Sequence, residues 1–206
     1  MFKKKRQLEM ALQDIVPHEN PRVELEQYST PSIIAADILW NAMAVGDIEG
    51  LKLADLGCGT GILTIGSALL GAEEAIGVDT DPEAISIAES ESRRKNLDNT
   101  RFIVTDVMDF NEKADTVIQN PPFGAQKSNR KAADVIFLDK ALEIAPVVYS
   151  FHMKKTMDFL VKFLDERNVN ISHKFEYRFP IPRIYDFHTK ESVEVEVVVL
   201  RIEKNI

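Results

Sequence analysis

A chain of 206 residues, 45% hydrophobic and 28% charged, can bury one full domain core and has the balance of an ordinary globular protein. Its formal net charge of −8 excludes a generally basic nucleic-acid coat, though not a local basic groove. The single cysteine, Cys58, excludes an internal disulfide and a multi-cysteine zinc site and points to a reducing cytoplasm. Gln7, Glu9 and Gln13 interrupt any apolar core after the basic start, so no signal peptide is expected, and the longest apolar stretch, around Gly61 to Ala72, is too short and too glycine-rich to span a bilayer.

In chain order, residues 3–15 predict a charged amphipathic helix ending before Pro17. A second helix follows, with Thr30 as its N-cap and Pro31 in its first turn. From Leu51 the pattern alternates. LKLADL, EAIGVD, RFIVTDV, ADTVIQN and PVVYSF predict strands. ILTIGSALLG, PEAISIAESESRRKN, ADVIFLDKALEIA and KKTMDFLVKFLDE predict the helices between and after them. VNISHKFEYRF and ESVEVEVVVLRI then follow with no helix between, which predicts a closing antiparallel hairpin. The sum is a doubly wound α/β sheet of seven strands, mostly parallel with the last reversed. No linker divides the chain, so residues 1–206 read as one domain, with 1–45 as an N-terminal helical segment. This layout fits a nucleoside-cofactor methyltransferase better than a dehydrogenase.

The stretch LADLGCGTGIL sets Gly57, Gly59 and Gly61 directly after the first strand, preceded by Asp55. Glycines let backbone approach a ligand closely. A dinucleotide-binding turn would want its third glycine at the position of Ile62. The pattern D-x-G-x-G-x-G is similar to motif I of the class I S-adenosylmethionine-dependent methyltransferases. That resemblance puts Asp55, Thr60 and Ile62, with the neighbouring amides, at the methionine end of the cofactor. Asp79 ends the second strand, where a carboxylate can bind both ribose hydroxyls; Asp81 precedes Pro82 as a helix cap. The third strand ends in Asp106 and Val107, which the resemblance puts at the adenine amino group and over its ring.

The fourth strand ends in NPPF: Asn120, Pro121, Pro122 and Phe123. An adenine amino nitrogen is a poor nucleophile, because its lone pair is delocalised into the ring. Two acceptors aimed at its hydrogens would free that pair. The Asn120 side-chain oxygen and the Pro121 carbonyl can supply them, and prolines carry no competing N–H. Phe123 offers a stacking face for an unstacked base. NPP with an aromatic also occurs in cytosine-N4 and protein-glutamine methylating enzymes. Nearly the whole chain, through LEQYSTP, ADLGCGTGIL, GVDTDPEAI, QNPPFGAQ, VVYSFH and FHTKESVEVEVVVLR, resembles the ribosomal-RNA adenine-N6 methyltransferase family called methyltransferase-like protein five.

That resemblance implies methylation of an adenosine in small-subunit ribosomal RNA, with Gln27, Tyr28 and Thr30 as further cofactor contacts. It also implies a Trm112-like zinc-binding activator as partner. The edge strand at 101–105, with Phe102, Ile103 and Val104, is where such a partner could extend the sheet. RNA phosphates need cations. Lys127, Arg130 and Lys131 beside the catalytic loop, with His188 and Lys190, are the candidates; Lys3, Lys4, Lys5, Arg6, Lys154 and Lys155 are further ones. His152 and His188 have no matching Cys/His set, so no metal site is expected, and both read as packing or RNA-contact residues. Protein-glutamine methylation and a non-catalytic, cofactor-binding ribosome-assembly role remain the alternatives.

Overall fold

The computed structural model describes residues 2–18, 29–122, 130–182 and 192–204. Gln27, Tyr28, Phe123, Lys127, His188 and Lys190, all named above, lie outside the described residues, as do the side chains of Arg130 and Lys131.

Seven strands form one sheet in the order β3-β2-β1-β4-β5-β7-β6. They are β1 (Lys52–Leu56), β2 (Glu74–Asp79), β3 (Thr100–Val104), β4 (Thr116–Gln119), β5 (Val147–Met153), β6 (Val169–Pro182) and β7 (Ser192–Lys204). All neighbouring pairs from β3 to β5 are parallel, and β7 runs antiparallel to both β5 and β6. Six strands therefore share one direction and β7 alone is reversed, as the alternation and the helix-free ending predict. The helices are α1 (Lys5–Gln13), α2 (Ser32–Ala44), α3 (Ile62–Leu69), α4 (Pro82–Arg94), α5 (Arg130–Ile144) and α6 (Met157–Asp165).

Successive strand residues point to opposite faces, and the two faces fill two cores. Leu53, Ile118, Tyr149 and Phe151 pack with Leu8 and Leu12 of α1, Ile38 and Leu39 of α2, and Ile65 of α3. Ala54, Leu56, Val117 and Val148 pack on the other face with Leu138 of α5 and Leu160 and Leu164 of α6. Leu8 and Leu12, one turn apart on α1, are both fully buried, each worth about 1.5–3 kcal/mol of apolar transfer. The C-terminal carbonyls of α1 are satisfied by cations of another element. Arg94 Nη2 donates to Asp14 O at 2.8 Å, and Lys95 Nζ donates to Ala11 O at 2.7 Å. That suits the negative end of a helix dipole.

One helix start differs from expectation. Pro31, not Thr30, is the N-cap of α2, and no side chain caps it. The Thr30 hydroxyl is engaged elsewhere, by Asn120. Asp81 does cap α4, accepting from Glu83 N–H at 2.9 Å.

The sheet also fixes where ligands can bind. Successive connections wind outward in opposite senses from β1 and β4, and such a switch point opens a crevice at the carboxyl ends of the strands. Leu56 pairs with Val78 of β2 and with Gln119 of β4. One residue further along each strand stand Gly57, Asp79 and Asn120, level with each other across the crevice. With strands about 4.8 Å apart, Asp79 and Asn120 are set roughly 10 Å from each other.

Candidate active site

The glycine turn is fastened to β2. Gly57 and Cys58 N–H donate to Val78 O at 2.8 and 2.9 Å, and Gly59 N–H donates to Asp79 Oδ2 at 2.8 Å. Gly61 begins α3 with φ +86°, and an added Cβ there would meet Ala88 Cβ at 3.0 Å and the Phe102 ring at 3.1 Å. Only a residue without a side chain lets α3, α4 and β3 close on this turn. Gly59, at φ +54°, is the opposite case, with nothing within 4 Å of the position a Cβ would take. The turn is open there. Thr60 is buried and Ile62 packs at the margin of the first core.

Asp55 is nearly inaccessible. Its Oδ2 accepts from Thr64 N–H at 3.0 Å and from Thr64 Oγ1 at 2.8 Å, while Oδ1 is buried without a partner among the described residues. Burial pushes its carboxyl up to about 7, the nearby Asp79 charge adds to this, and the Thr64 hydrogen bonds oppose it. Asp79 uses its second oxygen to accept from Asp81 N–H at 2.9 Å. Asp81 Oδ2 lies 3.3 Å from His18 Nε2, which brings the residues after α1 against the same loop. β3 ends at Val104, two residues short of the expected Asp106: Asp106 is exposed and caps a short 3₁₀ turn, its Oδ1 accepting from Met108 N–H at 2.8 Å, and Val107, within that turn, is buried in the second core.

Across the crevice, Asn120 Nδ2 donates to the Thr30 hydroxyl at 3.0 Å. Its Oδ1 is buried and has no partner among the described residues. Pro121 is buried and Pro122 half-buried. The structure thus brings Thr30 and Asn120 together on one side of the glycine turn and Asp79 and Asp106 on the other. Sequence reasoning missed Thr64, Thr30 as the partner of Asn120, and His18 at Asp81. Only the serine or threonine one helical turn into α3 was a usable signal, since a hydroxyl there can reach back to the strand-end carboxylate.

Of the two readings given for His152, packing holds and RNA contact does not. It is fully buried on β5, so it does not contact RNA; burial alone drives its imidazole down to about 3, and it is neutral. Of the further cations, Lys5 is bonded to Asp37, and Lys154 pairs with Glu176 at 2.8 Å and Glu196 at 3.6 Å. Lys3, Lys4, Arg6 and Lys155 are exposed.

A seven-stranded, doubly wound sheet with this β7, a glycine turn open at its switch point, and carboxylates at the ends of β1, β2 and β3 defines a class I S-adenosylmethionine-dependent methyltransferase. The open backbone at Gly59 and the strand-end carboxylate of Asp79 suit a cofactor that carries a ribose and a charged amino-acid tail. A family model described as ribosomal protein L11 methyltransferase matches residues 39–121. The chain is 36% identical to the Danio rerio rRNA N(6)-adenosine-methyltransferase METTL5, over 96% of this chain and 98% of that protein. It is 45% identical to an uncharacterized protein of Methanocaldococcus jannaschii, over 98% and 94%. The crystal structure of a candidate RNA methyltransferase from Pyrococcus horikoshii superposes with TM-score 0.91 at 40% identity, covering 100% of both chains. The chain belongs to the rRNA N6-adenosine-methyltransferase family.

Proposed function

We propose that this protein transfers a methyl group to the N6 amino group of an adenosine in small-subunit ribosomal RNA. One observation carries the reading: Asn120 Oδ1, an acceptor buried at the switch point without a partner among the described residues. A buried acceptor left unpaired costs about 1–3 kcal/mol. It is sustained where a donor arrives during function, and an amino group is such a donor.

S-adenosylmethionine, when bound, supplies an electrophilic methyl group. Asp79, at the end of β2, would hold its ribose hydroxyls; Asp55 and the turn from Gly57 through Gly59, Thr60, Gly61 and Ile62 would hold the methionine end. Asp106 and Val107 would flank the adenine, with Gln27, Tyr28 and Thr30 contributing from the N-terminal side. Opposite them, Asn120 Oδ1 accepts one hydrogen of the substrate amino group and the Pro121 carbonyl the other. Two acceptors draw the nitrogen out of conjugation and leave its lone pair free. Once methylated, the nitrogen is cationic and gives a proton to solvent, so no general base is needed. Catalysis is then positioning and preorganised acceptors, with Phe123 stacking on the base and Pro122 stiffening the loop.

Because the chain is acidic overall, RNA must be met locally. Lys127, Arg130 and Lys131 adjoin the catalytic loop in sequence, and His188 and Lys190 follow β6; these are the proposed contacts. We also assign β3 as the docking edge for a small Trm112-like zinc-binding protein. It is one of the sheet's two outer strands, β6 being the other, and Val104 is 51% exposed. Phe102 and Ile103, by contrast, pack inward.

A protein substrate is the second reading, favoured by the L11-methyltransferase match over residues 39–121. That match ends at Pro121 and covers the cofactor half, whereas the rRNA-methylating relatives run the full length. The test is labelled methyl transfer to ribosomal RNA from unmodified ribosomes, with nucleoside mass spectrometry. N6-methyladenosine is expected; label in ribosomal protein alone would overturn the reading.

A further inference from the structure

We propose that Thr30 is a positioning residue for methyl transfer: its hydroxyl tethers the Asn120 amide and so sets where the acceptor oxygen stands. This rests on the amino-group reading above and adds a residue that acts through Asn120.

The terminal torsion of an asparagine is broad and nearly two-fold, so only hydrogen bonds hold its amide in one place. Among the described residues the Asn120 amide makes one, Nδ2 to Thr30 Oγ1 at 3.0 Å, while Oδ1 makes none. Thr30 is 6% exposed, so water does not compete for the bond. Its hydroxyl does not cap α2. Both residues are themselves stiff. Each precedes a proline, Pro31 and Pro121, which restricts its backbone to extended conformations, and threonine is further confined at χ1 by its branched β-carbon. A hydroxyl can accept or donate, so the tether fixes the amide's place, and a substrate amino group selects the form with oxygen outward. A substrate carbonyl would select the other. Positions 30 and 120 are far apart in sequence, and the bond couples the N-terminal segment to the reacting end of the crevice.

The full chain is compared with Thr30→Val, which keeps the shape without the hydroxyl, and Thr30→Ser, which restores it. Three quantities are measured: the single-turnover rate on ribosomal RNA, the affinity for S-adenosylhomocysteine by calorimetry, and the Asn120 side-chain NH₂ resonances, identified by their loss in Asn120→Ala. At saturating cofactor, Thr30→Val is expected to slow transfer by about tenfold and to collapse the protected NH₂ signals, over and above any loss of cofactor affinity from its place in that site. Thr30→Ser should restore rate and signals together. The tether is overturned if Thr30→Val keeps the wild-type rate and signals, or if both variants lose rate equally. It is also overturned if the rate loss disappears at saturating cofactor, which would make Thr30 a cofactor contact only. The resonances need no substrate, so a wild type that methylates no adenosine would sink the function while the tether stands or falls on the spectra.

Discussion

Asp79 and Gly59 are joined by a hydrogen bond from the Gly59 N–H to Asp79 Oδ2 at 2.8 Å, so the carboxylate at the end of β2 holds the open part of the glycine turn. The same carboxylate accepts from Asp81 N–H. Its loss therefore loosens the turn as well as removing a ribose partner. Asp79→Ala is expected to weaken S-adenosylhomocysteine binding roughly 10- to 100-fold, the scale of losing hydrogen bonds to a charged group. Titration calorimetry measures this, and an unchanged affinity would contradict it.

Asn120→Ala removes the buried acceptor without touching the glycine turn. Methyl transfer should fall by a factor of roughly 10²–10³ or more, as when a preorganised electrostatic partner is deleted, while cofactor affinity holds. Single-turnover kinetics separate the two. Undiminished turnover would refute the role given to the amide.

Asp47, Tyr149 and Arg201 make a buried network on the α1–α3 side of the sheet. Arg201 Nε and Nη2 donate to Asp47 Oδ2 and Oδ1 at 2.7 and 3.1 Å, and Tyr149 Oη donates to Asp47 Oδ2 at 2.6 Å. Burial, then the hydrogen bond to Asp47, push the tyrosine well above its usual range. Asp47→Ala leaves a buried guanidinium without its main partner and should destabilise the fold by about 3–5 kcal/mol. Chemical denaturation at pH 7 gives the value, and a loss below about 1 kcal/mol would show that Glu203 and water substitute.

Asp55 and His152 give stability opposite pH slopes. His152 sits at about 3 in the folded state against 6.5 in the open chain. The unfolded chain thus binds the extra proton, and stability falls as pH drops from 6.5 toward 3. Asp55 sits at about 7 against 3.8. The folded state binds the extra proton, and its contribution is present below 3.8 and fades as pH rises through 7. Relative to wild type, His152→Leu should flatten the acid-side loss, and Asp55→Asn should gain stability toward pH 8 in the cofactor-free protein. Denaturant midpoints across pH 4–8 report both, and parallel profiles for all three proteins would contradict the assignment.

Val104→Lys sets a charge on the exposed residue of the β3 edge and should abolish co-purification with a Trm112-like partner without unfolding the chain. Ile103→Lys would also break the second core, into which Ile103 packs, and so would confound docking with folding. A complex that survives Val104→Lys would move the partner off this edge.

The strand–helix alternation from Leu51 onward, the glycines at 57, 59 and 61, and the carboxylates at strand ends were all legible in the sequence. Each is local, set by a period, a turn or a cap acting over a few residues. Thr30 shows where local reasoning stops. Threonine before Pro31 has every local mark of an N-cap, yet its hydroxyl bonds to Asn120, and no local rule weighs a partner 90 positions away. His152 and Val104 teach the same lesson about exposure. A histidine near the site was a candidate contact until the sheet buried it, and three apolar edge residues looked alike until packing turned two of them inward.

The sequence by itself determined the order of elements, the class of cofactor turn and the amide-and-proline chemistry at the end of β4, because backbone propensity and residue type act at short range. Only the tertiary structure decided which of those groups meet. The register aligning Leu56 with Val78 and Gln119, and the seating of α1 and α2 on one face, put Asp79, Gly59, Asn120 and Thr30 around one crevice. That decision is made by burial of two apolar cores, a sum over many distant residues that no single stretch contains.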